Sequence, residues 1–249
     1  MKSKKDWIIV VIVLAIFSVL MYVMVQKPAF LFGTDSESSQ GNLIEDYPGN
    51  IPEGWQIVNI ENLGMIAIPK TLEVREEGST LDVLSKSYNE VVYKISGLDE
   101  PNTDSSMVIQ QAGLDAREDD SFASYARIMI NIYNLESDEL PKRSDRLNLS
   151  SEDLQLLKED SDSTLEEASE YFGCSIGETT IDEVYVNRMN ALKFTYSRTC
   201  RDNPEIYVEQ YKFFNSDQIV EIILSYRLTE SDRWEKDFSR IIDTFILTN

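Results

Sequence analysis

The segment Trp7 to Val25, WIIVVIVLAIFSVLMYVMV, carries no charge and no proline, and it constrains this chain more than any other feature. At about 1.5 Å of rise per residue, a helix of this length nearly spans a hydrocarbon core. A helix bordering a soluble core shows a polar face; here Ser18 is the one strongly polar residue, and its hydroxyl can bond back to the preceding turn. The expectation is one transmembrane helix over residues 7–26, with Trp7, Phe17, Tyr22 and Val25 as anchor residues and the lipid bilayer as its partner. Lys2, Lys4 and Lys5 precede the segment and only Lys27 follows closely. The basic-side rule then places a cytoplasmic tip at 1–6 and the rest of the chain outside the cell membrane. The rival, a cleaved signal peptide, needs a shorter apolar core and a small-x-small site, and Gln26 to Phe30 offers no good one.

From Pro28 onward 19 basic residues face 43 acidic ones, within a chain whose net charge is −21. Such a surface repels phosphate backbones, so nucleic acid is not an expected partner. Residues 27–50 are rich in Gly, Ser, Asn and acid, with little to bury, which is the composition of a flexible linker. A globular domain is expected over 51–249.

Within that domain Trp55 to Pro69 contains two short apolar runs broken by Asn62-Leu63-Gly64, a strand pair, and Leu72 and Val74 continue the pattern. Leu81, Leu84, Tyr88, Val91, Val92 and Ile95 recur at helical spacing. Met107 to Leu114 reads as a strand. Phe122, Tyr125, Ala126, Met129, Ile130 and Tyr133 fall at i, i+3, i+4, i+7, i+8 and i+11, which predicts a helix packed on a sheet. The region Asn134 to Glu170, with 12 acidic and 4 basic residues, predicts a broken surface helix started by the capping pair Ser150 and Asp153. Three alternating runs follow, around Leu192 to Tyr196, Tyr207 to Phe213 and Val220 to Leu228, and predict an antiparallel meander. A terminal helix from Ser231 carries Trp234, Phe238, Ile241, Ile242 and Phe245 on one stripe. The expected fold class is α+β, an antiparallel sheet flanked by helices as an α/β/α sandwich.

The order of these elements resembles the PsbP-like fold, named for the extrinsic lumenal protein of photosystem II. The resemblance is carried by the early strand ending in Ile-Pro (Met65 to Pro69), MVIQQAGL (Met107 to Leu114), YARI (Tyr125 to Ile128), the meander, and IIDTFIL (Ile241 to Leu247). It implies an antiparallel sheet between helices over about residues 51 to 249, and a role in binding or assembly rather than catalysis, as in most members.

The chemistry open to the chain is narrow. It has no histidine, which removes Ser-His-Asp and Cys-His catalysis and imidazole metal sites, and it has no Gly-rich phosphate loop. Two cysteines, Cys174 and Cys200, could form a disulfide outside the cytoplasm or remain two half-buried thiols. Asp160-x-Asp162-x-Thr164 begins like a calcium loop, but Leu165 stands where that loop needs glycine. Gln110 and Gln111, or Tyr185, Tyr207 and Tyr211, could line a ligand groove, and Arg198, Arg201 and Asp202 beside Cys200 could form an interaction tip. No catalytic or metal-binding residue and no cofactor is assigned. The expected function is a non-catalytic, membrane-tethered binding or scaffolding module with an envelope protein as partner. The alternatives are an envelope hydrolase using paired carboxylates and a divalent-cation-binding domain on the acidic face.

Overall fold

The computed structural model describes residues 50–60, 63–75, 103–112, 124–134, 140–200 and 203–248. The strand pair expected first is present as β1 (Trp55–Ile60) and β2 (Gly64–Pro69), antiparallel with Trp55 opposite Pro69 and Ile60 opposite Gly64. They form a three-stranded sheet with β11 (Ile246–Leu247). The main sheet has eight strands. Across it run β3 (Leu72–Val74), β4 (Thr103–Gln111), β5 (Ala126–Asn134), β10 (Gln218–Arg227), β9 (Ile206–Asn215) and β8 (Met189–Cys200), every neighbour antiparallel. The outer edge of the long β8 is shared by two short strands, β6 (Cys174–Ile176) and β7 (Thr180–Val186). The predicted meander is β8–β9–β10.

Alternation along these strands sorts side chains onto two covered faces. Ile128, Ile130 and Ile132 of β5 and Val220, Ile222 and Leu224 of β10 face the small sheet. Between the sheets lies α2 (Ser231–Thr244), whose Trp234, Phe238, Ile241 and Ile242 are buried in the same core, as the terminal stripe predicts. Tyr133, Leu192, Phe194, Tyr196 and Ile223 face the other way and pack with Leu157 and Leu165 of α1 (Ser151–Phe172).

Three expectations are corrected. The helix expected over Phe122 to Tyr133 is absent from the described part of that run: from Ala126 it is the strand β5, buried on both faces. Burial on both sides removes the polar alternation that marks a strand, and any apolar run contains residues at helical spacing. The acidic region 134–170 does not hold a broken helix but one continuous helix of 22 residues from Ser151. It opens with the predicted pair: the Asp153 amide donates to Ser150 Oγ at 3.1 Å and the Ser150 amide to Asp153 Oδ2 at 2.9 Å. Third, the fold class is not a helix-flanked α/β/α sandwich. It is mostly β, two antiparallel sheets and eleven strands with two α-helices among the described residues. One face of the main sheet is covered by a second sheet together with α2, the other by α1. Among the described residues no helix is long and apolar enough to cross a membrane. The anchor residues Trp7, Phe17, Tyr22 and Val25, the linker up to residue 49 and the helix expected over Leu81 to Ile95 lie outside the described residues.

Candidate functional site: a tyrosine and carboxylate sheet face

On β8 the odd and even positions part company. Leu192, Phe194, Tyr196 and Arg198 are buried beneath α1, while Lys193, Thr195 and Ser197 are half-buried on the opposite face. The register sets Lys193 against Tyr211, Thr195 against Glu209 and Ser197 against Tyr207. Pairs that face one another across neighbouring strands are within side-chain reach, and here they converge on Glu209. Lys193 Nζ donates to its Oε1 at 2.8 Å, Tyr207 OH to Oε1 at 3.2 Å and Tyr211 OH to Oε2 at 3.0 Å. Lys193 Nζ also stands 5.4 Å from the Tyr211 ring centre, and the Tyr207 and Tyr226 rings lie 5.4 Å apart. Thr180 of β7 joins its hydroxyl to that of Thr195 and extends the surface toward the sheet edge.

Burial raises the pKa of the Tyr207 and Tyr211 hydroxyls, and the Glu209 charge and its hydrogen bonds raise them further. Tyr226 is pushed up to about 12 by burial and then by Glu235 and Glu209. These phenols stay protonated and act as donors. Glu209, the carboxylate that Tyr207 and Tyr211 share, is paired with Lys193. Such a surface offers one half-buried ring, Tyr207, backed by the buried Tyr211 and Tyr226, with hydroxyl, ammonium and carboxylate groups held in fixed positions, a composition suited to recognition.

The other candidates are dispersed. Gln110 is buried on the α1 side, opposite Arg127, whereas Gln111 accepts a hydrogen bond from Ser124 Oγ at 3.0 Å, so the two amides do not share a groove. Tyr185 is exposed but belongs to the α1 side, with the Arg146 guanidinium 5.8 Å from its ring centre, away from Tyr207 and Tyr211. Arg198, expected at an exposed tip, is 1% exposed on the covered face; Arg201 and Asp202 lie outside the described residues. Asp160, Asp162 and Thr164 are on α1 rather than a loop. Residues two apart on a helix point about 200° from one another, so this run cannot wrap a calcium ion. Asp162 pairs with Lys158 at 2.6 Å, and burial raises the Asp160 carboxyl. Cys174 and Cys200 face one another across β6 and β8 and are joined in a disulfide.

Sequence reasoning missed Lys193 and Glu209, and with them a second polar cluster that is wholly enclosed. Glu221 of β10 and Lys212 of β9 are opposed and fully buried, with Nζ 3.2 Å from Glu221 Oε1. Asn131 Nδ2 at 2.8 Å and Tyr133 OH at 3.1 Å donate to Oε2, and Gln210 Nε2 donates to Oε1 at 2.6 Å. A charged residue inside an otherwise apolar strand, as in YKFF and VEII, is the available signal, because a buried charge must be paired. Glu209 and Glu221 lie on opposite faces of the sheet, so these two strand-borne acids do not form a catalytic pair.

The PsbP-like resemblance read from the residues recurs when whole structures are compared. The chain is similar to the solution structure of cyanobacterial PsbP from Synechocystis sp., at 13% identity and a TM-score of 0.46, over 86% of this chain and 98% of that one. It is also similar, more remotely, to a crystal structure of a Pseudomonas aeruginosa protein of unknown function, at 9% identity and a TM-score of 0.35, over 77% of this chain and 96% of that one. In sequence, no family model and no characterised protein matches it. Likeness at this level concerns the fold and leaves the activity to be argued from the residues.

Proposed function

We propose that the domain is a non-catalytic binding or scaffolding module that works outside the cytoplasm, held at the cell membrane by the apolar segment Trp7–Val25. The observation that carries this reading is the half-buried face of β8 and β9. Its polar groups are fixed by one another, and Tyr207, Lys193 and Glu209 retain access to solvent. Aromatic side chains that bring contact area at small entropic cost, ringed by oriented polar groups, are what recognition surfaces use. The Cys174–Cys200 disulfide supports an oxidising compartment. Attachment to a bilayer supports a binding role, because it raises the effective concentration of the domain near membrane partners. The partner is a protein of the envelope.

The test places a photo-crosslinking residue at Thr195, on the platform, or at Asp217, in the β9–β10 turn, of the full-length protein in native membranes. One partner captured from position 195 and not from 217, and lost in Tyr207→Ala and in a chain lacking residues 1–27, is the expected result. Equal capture from both positions, or none, refutes the platform as a docking face.

A further inference from the structure

The hairpin of β7 and β8 leaves one edge of the main sheet open. Among the described residues β7 is the longest strand that pairs on one side only. Its turn, Asn187-Arg188, has positive φ at both residues and sets Val186 opposite Met189. In that register Thr180, Asp182, Val184 and Val186 turn their main-chain groups toward β8, and Ile181, Glu183 and Tyr185 turn theirs away from it. None of the latter three makes a further main-chain hydrogen bond among the described residues. An edge is ordinarily blunted by shortness, proline, lysine, a bulge or a covering segment. The other one-sided strands of the main sheet, β3 and β6, have three residues each. β7 has seven, with no proline, no lysine and an unbroken register, and Thr180, Asp182 and Tyr185 along it are exposed.

The sequence of this edge complements itself. Two β7 strands set antiparallel about a two-fold axis through Glu183 oppose Ile181 to the partner's Tyr185 on both sides of the axis. Outward groups then face outward groups, with two main-chain hydrogen bonds at each pairing. Ile181 packs against the cluster of Leu157, Leu192 and Phe194, and Tyr185, on the same face of the sheet, is 48% exposed. An aliphatic side chain opposite an aromatic one is a favourable cross-strand pair. Beyond the strand ends, Glu178 comes beside the turn that carries the partner's Arg188. Both side chains are exposed, and neither is in an ion pair among the described residues. Asp182 falls opposite the partner's Val184. The like charges that meet at the axis are the two Glu183 carboxylates, and each is engaged by its own chain. The Leu147 and Asn148 amides donate to Oε1 at 2.9 and 3.1 Å, and the Leu149 amide donates to Oε2 at 3.2 Å.

We propose that the chain forms a two-fold dimer through β7, joining two main sheets edge to edge. A contact of seven residues a side lies at the small end of specific interfaces, so the dimer is reversible rather than obligate. The net charge of −21 on each copy opposes association, and salt screens that repulsion.

Sedimentation equilibrium of the full-length protein, in a density-matched uncharged detergent and about 0.3 M sodium chloride, is expected to show a concentration-dependent monomer–dimer equilibrium. Tyr185→Pro deletes one outward amide and leaves the β7–β8 ladder whole; it weakens the dimer about tenfold or more while urea titration shows a folded protein. Arg188→Glu and Glu178→Arg each weaken it about fivefold, and the two together restore it to within about twofold of wild type, because the charges are exchanged rather than lost. A protein that is monomeric at every concentration overturns the proposal. A dimer of full strength in Tyr185→Pro also overturns it, and assigns association to the segment Trp7–Val25 or to another face. A double variant no tighter than either single one overturns the register about Glu183.

Discussion

Glu221→Gln is the substitution whose consequence the fold specifies most sharply. The carboxylate is completely buried, 3.2 Å from an equally buried ammonium, and accepts from Asn131, Tyr133 and Gln210. Removing its charge leaves Lys212 as an uncompensated cation in a low-dielectric interior. Breaking one side of such a pair costs about 3–5 kcal/mol. For a domain of this size that corresponds to a fall in Tm of roughly 10 °C. Urea denaturation of wild type, Glu221→Gln and the double variant Glu221→Gln with Lys212→Met measures the effect. The double variant recovers most of the loss, because it removes the stranded charge and keeps an amide oxygen for the donors.

The same variants carry a pH signature. Burial already lowers the Lys212 pKa, and Glu221 is what opposes that shift. Without Glu221 the folded-state value drops further below that of the unfolded chain. Between the two values the unfolded chain holds the extra proton, so unfolding free energy rises with pH through that window in Glu221→Gln. The slope is absent from the double variant. A single variant within 1 kcal/mol of wild type, or a double variant no better than the single, refutes the reasoning.

Replacing Cys174 and Cys200 together by serine releases a closure of 26 residues and costs about 3.5 kcal/mol in the chain-entropy description, read as a lower urea midpoint; a change below about 1 kcal/mol counts against it. Above pH 10 the fold should weaken: Tyr196 is pushed up to about 12 by burial, so the folded state keeps a proton that the unfolded chain gives up, and stability falls by about 3 kcal/mol on completing that interval. Urea titrations of wild type and Tyr196→Phe at pH 8 and pH 11 check this, and a loss of stability in Tyr196→Phe as large as in wild type contradicts it. Gly64→Ala would drive a methyl group into the Ile246 carbonyl where β11 meets β2, costing about 1–3 kcal/mol by thermal melting, whereas Gly54→Ala meets no neighbouring atom and suffers only from its positive φ.

The parts of this fold legible in the sequence are those in which local pattern and tertiary role agree. Strands β8, β9 and β10 carry clear period-two runs separated by turn residues, and both helix starts, Ser150-Asp153 and Ser231, lie where the capping chemistry and the apolar stripe place them. β5 was illegible because its neighbours bury both faces. Ile128, Ile130 and Ile132, β-branched at alternate positions, were the feature that favoured a strand over the helical subset of the same run. The two residues of β11 exist as a strand only because Leu247 meets Gly64, a contact that no local signal announces. At the platform, Tyr207 and Tyr211 stood out as aromatics. Lys193 and Glu209 become their partners only through the β8–β9 register, which is a property of the folded sheet.

That register also explains how one residue type serves two purposes on adjoining strands. Glu209 sits on the face that α2 leaves partly open, and its three donors are the half-buried Tyr207, the buried Tyr211 and the half-buried Lys193 ammonium. Glu221 lies on the opposite, sealed face and is held by amides, one phenol and a desolvated lysine. A shift of one residue in β9 would exchange these faces, bringing Lys212 to the partly open side and Glu209 under α1 with no partner placed to receive it. The buried pair thus enforces the alignment that assembles the platform, because any slip strands a charge on the sealed side. The recognition surface proposed above would need its groups fixed to within a fraction of an ångström, and a cluster on the reverse of the same strands supplies such a constraint.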